Sequence, residues 1–130
     1  MADPSIKGGI VEYQSPADKI TCTVGATAVV GGQVVTLSGN RTVIPATAAS
    51  RPFGVAMHDA AIGAPVTVML EGVAPLKAAG AIAAGDLVEV SATAGSVQSD
   101  NATAALGLMV GIALEAIADL AVGRVLLRLK

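Results

Sequence analysis

One pattern of apolar segments punctuated by glycine occurs twice in this chain, in the same order. Gly32-Gln33-Val34-Val35-Thr36-Leu37 is matched by Gly85-Asp86-Leu87-Val88-Glu89-Val90, and Phe53-Gly54-Val55-Ala56-Met57 by Val110-Gly111-Ile112-Ala113-Leu114. Each second element is followed, after a small-residue loop, by an apolar run, Val66–Leu70 and then Val125–Leu129. Short β-branched segments between Gly and Pro signal strands. Two units are too few for a solenoid, which needs at least three. Closure into a barrel removes the exposed strand edges such a chain would otherwise carry. The expected fold is all-β: a small pseudo-symmetric β-barrel or β-sandwich with short or no helices.

The strands expected are Gly9–Tyr13, Ile20–Val24, Ala28–Val30, Gln33–Leu37, Phe53–Met57, Val66–Leu70, Leu87–Ser91, Val97–Ser99, Leu108–Leu114 and Arg124–Leu129. In the last of these, Arg124, Leu126 and Arg128 fall on one face and Val125, Leu127 and Leu129 on the other. Pro45–Ser50 and Leu76–Ala84 are alanine-rich enough for a turn or two of helix, although alanine propensity yields readily to tertiary context. Leu114–Leu120 reads as a loop. Residues 1–19 read as an N-terminal arm with a first strand, and 20–130 as a single β domain.

The material for a core is thin. Twenty-six Ala, 17 Val and 15 Gly stand beside one Phe, one Tyr and no Trp. Aromatic side chains bury about 150–250 Å² each and dominate most cores. A chain this apolar and this poor in charge is therefore expected to bury more surface against a partner, as an obligate oligomer or part of an assembly. Eight basic against ten acidic residues give no basic field for nucleic acid. The uncharged stretch 20–40 is broken by Gly25, Gly31, Gly32 and Gly39, unlike a membrane span, so the chain is expected to be soluble with no membrane partner. Met1–Lys7 lacks the basic-then-apolar pattern of a secretory signal.

Catalytic chemistry finds no support. His58 is the single histidine, and His58-Asp59 cannot act as a pair in a strand, where neighbours point to opposite faces. Cys22, between Thr21 and Thr23 in an uncharged segment, lacks the electropositive setting of a nucleophile and reads as a small buried filler. One His and one Cys cannot supply the usual zinc sets, and the carboxylates show no calcium-loop spacing. Gly31-Gly32 precedes a strand, so it is no phosphate loop. No enzyme activity, cofactor or metal is expected.

Two resemblances bear on function. Biotinyl or lipoyl carrier domains are also small pseudo-symmetric β folds, and Ala17-Asp18-Lys19 is similar to their modified Asp-Lys. However, Lys19 precedes both repeats where a carrier lysine lies between them, and Lys77 lacks the flanking Met or Asp. The stronger resemblance is to the phage capsid cement, or head decoration, family. It is carried by Phe53-Gly54-Val55-Ala56, Asp59–Gly63, Val66–Val73, Lys77–Val88, Gly111–Ala116 and the Gly123–Leu129 segment; Arg41–Pro52 and Ile117–Leu120 depart from it.

That resemblance implies a structural virion protein on the outer surface of a phage capsid in the assembled particle, and in the host cytoplasm during assembly. Its partners would be the major capsid protein and itself, as a homotrimer. A β-domain of a phage tail or baseplate is the alternative. The expected contacts are the N-terminal segment, through Ile6, Ile10, Val11 and Tyr13, and a subunit patch including parts of loops 59–64 and 76–85.

Overall fold

The structure is a computed structural model that describes residues 19–48, 50–99 and 109–128. These residues form ten strands and no helix: β1 Lys19–Val24, β2 Val34–Gly39, β3 Thr42–Pro45, β4 Gly54–Ala56, β5 Pro65–Met69, β6 Val73–Lys77, β7 Leu87–Val90, β8 Val97–Ser99, β9 Met109–Ala113 and β10 Val122–Leu127. The first five close into a barrel in the order β1-β3-β2-β4-β5, and the other five form an open sheet in the order β6-β10-β9-β7-β8. The all-β, pseudo-symmetric reading is the fold observed.

Several local expectations are corrected. The described residues of Pro45–Ser50 and Leu76–Ala84 hold no helix: Pro45 ends β3, and Leu76 and Lys77 lie in β6. In both places strand partners outweigh alanine propensity, through Val35 for Pro45 and Gly123 for Leu76. Ala28–Val30 contributes only one bridge, Val29 to Ala60. Strands β3 and β6 were not expected; each contains a proline, Pro45 and Pro75, which lies where proline is tolerated, at a strand end and on a sheet edge. Gly9–Tyr13 lies outside the described residues.

The sequence repeat is a structural repeat. Taken as β3-β2-β4-β5-β1 and β8-β7-β9-β10-β6, the two strand orders are the same. Loop hydrogen bonds match as well. Gly32 N–H donates to the Ala56 carbonyl at 2.8 Å and Gly85 N–H to that of Ala113 at 2.8 Å; both glycines have φ near +90° (92° and 87°), which favours glycine over any L residue. Val29 and Ala60 exchange N–H···O bonds as Ile82 and Ile117 do.

Gly54 and Gly111 occupy equivalent places in β4 and β9, where no side chain fits. A Cβ on Gly54 would lie 2.6 Å from the Met69 carbonyl oxygen, and one on Gly111 would overlap that of Leu126.

Two cores result. One fills the barrel with Cys22, Val24, Val29, Val35, Val43, Ala56, Val66 and Val68. The other lies under the second sheet, where Val34, Ala46 and Val55 of the first half join Leu76, Val88, Val110 and Val125. Because inward side chains are mostly Val and Ala, each contributes little, and strand alternation makes the rest of the surface: β6 reads exposed-buried-exposed-buried-exposed.

The halves differ in closure. In the barrel β1 meets β3 in parallel, with Thr23 N–H donating to the Arg41 carbonyl at 2.8 Å. Gly95 is the counterpart of Arg41, and both have positive φ (78° and 51°). Its carbonyl instead accepts Val34 N–H from the first half at 3.0 Å. The second set is left with a single parallel bridge, Ala78 to Val97, and β6 remains an edge.

Candidate functional surface

The edge of β6 borders a groove of about 740 Å³, lined on one side by Pro75, Lys77 and Val122 and on the other by Val30, Met57, His58 and Asp59. Val30, Met57 and Val122 are large apolar side chains left mostly in water, Val122 by 64%. Pro75 and Met57 also line a smaller cavity of about 150 Å³ that reaches Val55, Met69 and Ala74.

The polar groups here fasten backbone and leave no acid–base pair. His58 Nε2 accepts Thr67 N–H at 3.1 Å, and its Nδ1 lies 3.0 Å from the Asp59 carbonyl oxygen. A ring accepting at Nε2 carries its proton on Nδ1 and donates it to that carbonyl. Asp59 Oδ1 accepts Gly31 N–H at 2.8 Å, and Gln33 Oε1 accepts Val30 N–H at 2.8 Å. The second half repeats the device: Glu115 Oε2 accepts Arg124 N–H at 3.0 Å where His58 serves Thr67, and Asp86 Oδ2 accepts Ala83 N–H at 3.0 Å where Gln33 serves Val30. His58 and Asp59 thus hold turns, each with its own backbone partner.

Cys22 is buried in the barrel core, and that burial raises its thiol above the ordinary range, against a smaller opposing pull from Arg41. A protonated, enclosed thiol is the filler expected from the sequence. Among the described residues no cluster of His, Cys, Asp or Glu could hold a metal, and no buried side-chain polar atom lacks a partner. Among them, too, no helix is long and apolar enough to cross a membrane. Lys19 opens β1 opposite Met69 and Lys77 closes β6 opposite Val122, so neither occupies the hairpin tip a carrier lysine needs. Ile6, Ile10, Val11 and Tyr13 lie outside the described residues.

Of the two loops expected to form a subunit patch, 59–64 exposes Ile62, whereas 76–85 keeps Leu76 and Ile82 buried; the exposed Leu120 lies in a third loop outside both. Ile62 is 64% exposed in the first half, and Leu120, at the matching tip of the second, is 68% exposed with φ 66°. The counterpart of Leu120 is Gly63, φ 83°, tied to Val24 by its N–H as Leu120 is to Ala78. An L residue in that region costs about 1–2 kcal/mol, and an exposed Leu recovers little of it within the chain. Sequence reading missed this position because nothing in Ala118-Asp119-Leu120 announces a positive φ; only alignment on Gly63 reveals it.

The class the structure defines is a duplicated all-β protein, one half a closed barrel and the other an open sheet, in which His58, Asp59, Asp86 and Glu115 hold backbone turns. The chain belongs to the phage cement protein family, whose model matches residues 14–129. Its role is therefore structural and capsid-associated. Among solved structures it is similar to the N base of the head fiber protein gp8.5 of bacteriophage phi29, with a TM-score of 0.68 at 16% identity, covering 85% of this chain and 92% of that one. At that identity the likeness concerns the fold. No curated protein matches the chain.

Proposed function

We propose that this protein binds the outer surface of an assembled phage head and stabilises the shell, as a homotrimer whose partner is the major capsid protein. The protein waits in the host cytoplasm and joins the particle during assembly. The observation that carries this reading is the family match across 14–129, which spans both halves of the repeat. The surface agrees with it: Ile62, Leu120 and Val122 stand in solvent on a chain whose cores are built of Val and Ala.

The mechanism is linkage without turnover. A protein that binds the assembled shell and not its separated subunits stabilises the shell by mass action, about 2.7 kcal/mol per site at a free concentration one hundred times Kd. Copies that bridge neighbouring capsomers add to one another even when each contact is modest. The N-terminal Ile6, Ile10, Val11 and Tyr13 and the exposed tips of loops 59–64 and 76–85 are the proposed contacts.

The test is co-sedimentation of the purified protein with expanded, undecorated heads of the parent phage. Saturation at a fixed ratio to the major capsid protein, with a raised shell melting temperature, is the expected result. Folded protein that leaves such heads unbound would overturn the reading.

A further inference from the structure

An apolar row crosses four strands on the outer face of the second sheet. Val73 of β6 pairs with Leu126 of β10, Leu126 with Ile112 of β9, and Ile112 with Leu87 of β7. Strand alternation turns these side chains away from the core. Val73 is 44% exposed and the other three are half-buried, with Leu114 beside them 49% exposed. The first half has the same row, pair by pair: Lys19 with Met69, Met69 with Val55, Val55 with Val34. There the second sheet covers it, so that Val34 and Val55 are buried and Met69 packs against the shared core. A solvated sheet face carries polar residues, as the barrel wall does with Thr21, Thr23 and Thr67. The row on the second sheet is as apolar as its covered counterpart, and Val73 stands where that one has Lys19. The edge of β6 is the poorer seat, because Pro75 at its centre lacks an N–H. In the barrel the equivalent carbonyl, Thr21, is capped by Arg41 Nη2 at 3.1 Å. Gly95 stands where Arg41 would be and has no side chain to cap Pro75.

We propose that this face packs against the same face of other copies of this chain, three sheets enclosing a threefold axis with the row turned inward. The copy number rests on the homotrimer of the preceding reading; the face does not. Two observations select another copy as the occupant. The chain already covers one such row with a face of its own, and that covering inner face is filled within each chain, which leaves the outer rows to meet one another. The charges are also self-complementary. Arg128 of the segment after β10 and Glu89 of β7 each lie two residues beyond the row, on strands that run the same way. Glu89 accepts a bond from Gln98 at 2.7 Å on the far side of the sheet from β6. In a closed ring one side of each subunit meets the other side of the next. Arg128 of one copy therefore approaches Glu89 of its neighbour at the same height, and complementary charges of this kind fix register.

The test uses the purified full chain without heads, so its failure is distinct from a failure to bind the shell. Sedimentation equilibrium should give a mass three times 12.7 kDa for the native chain. Val73→Lys with Leu114→Glu, both at exposed positions, should weaken association by about tenfold or more, while Thr21→Lys on the barrel wall leaves it unchanged. Far-UV circular dichroism establishes that each variant is folded. Glu89→Arg should weaken the assembly, and adding Arg128→Glu should restore it. A native chain that sediments as a monomer would overturn the proposal, and a mass of two chains would overturn the threefold arrangement. An assembly that survives Val73→Lys with Leu114→Glu would remove this face from the contact.

Discussion

Replacing Gly111 by alanine tests the tightest approach in the fold. The added methyl would overlap the Leu126 carbonyl oxygen and lie 2.9 Å from its carbonyl carbon and 3.0 Å from Val125 Cγ1. Leu126 is held on both sides, by Ile112 of β9 and by Val73 of β6. Overpacking against side chains costs about 1–3 kcal/mol, because rotamers can yield. Here the obstacle is main chain, and relief means displacing β10 from one neighbour, so the cost is about 3 kcal/mol or more. Against a total stability of about 5–15 kcal/mol that is a large share. At roughly 3–5 °C per kcal/mol for a domain of this size, the melting temperature should fall by about 10–15 °C. Far-UV circular dichroism melts at one fixed protein concentration measure it. Gly85→Ala is the control: nothing lies within 4 Å of its Cβ, but φ is 87°, so only backbone strain of about 1–2 kcal/mol applies. If Gly111→Ala melts no lower than Gly85→Ala, the close approach of β9 to β10 is refuted.

Other substitutions address the turns, the core and the exposed tip. His58→Ala and Glu115→Ala each remove one side-chain acceptor from an equivalent strand N–H, and each should cost about 0.5–1.5 kcal/mol in urea unfolding. Losses that differ severalfold would break the equivalence. The Cys22 thiol, raised by burial, favours its neutral form in the folded state; its contribution to stability is complete below the ordinary thiol range of about 8.5 and is lost as pH rises through the higher folded value. Urea midpoints should therefore decline above that range in the native chain and decline less in Cys22→Ala, and parallel declines would refute the assignment. Leu120→Gly relieves the positive φ and loses only a little buried surface, so the melt should stay within about 1 kcal/mol of native while retention on heads falls. Unchanged retention would remove Leu120 from the contact surface.

The repeat was readable in the sequence because its glycines are fixed by geometry. Gly32 and Gly85 supply positive φ, Gly54 and Gly111 clear a neighbouring carbonyl, and substitution is resisted in both halves alike. Strands β5 and β10 were readable through their Val and Leu alternation. Strands β3 and β6 were not, since each contains a proline and is specified by its partners: β3 by Val35, Thr36 and Leu37, and β6 by the run Val122–Leu126. The tip at Leu120 escaped too, because its exposure depends on a backbone conformation that its own residues do not favour.

The two halves share strand order, loop bonds and glycines, so what fold alone requires is what they have in common. Their differences are where function can be sought. Arg41 becomes Gly95, which releases β6 from closure and leaves Pro75 uncapped. Gly63 becomes Leu120 and Pro65 becomes Val122, which places two aliphatic side chains in water at one tip. None of these changes improves the isolated chain: an open edge invites unwanted pairing, and Leu120 adopts a φ that glycine would adopt at less cost. Features that burden the free protein but supply bonding groups and apolar surface are those expected of a molecule completed by assembly.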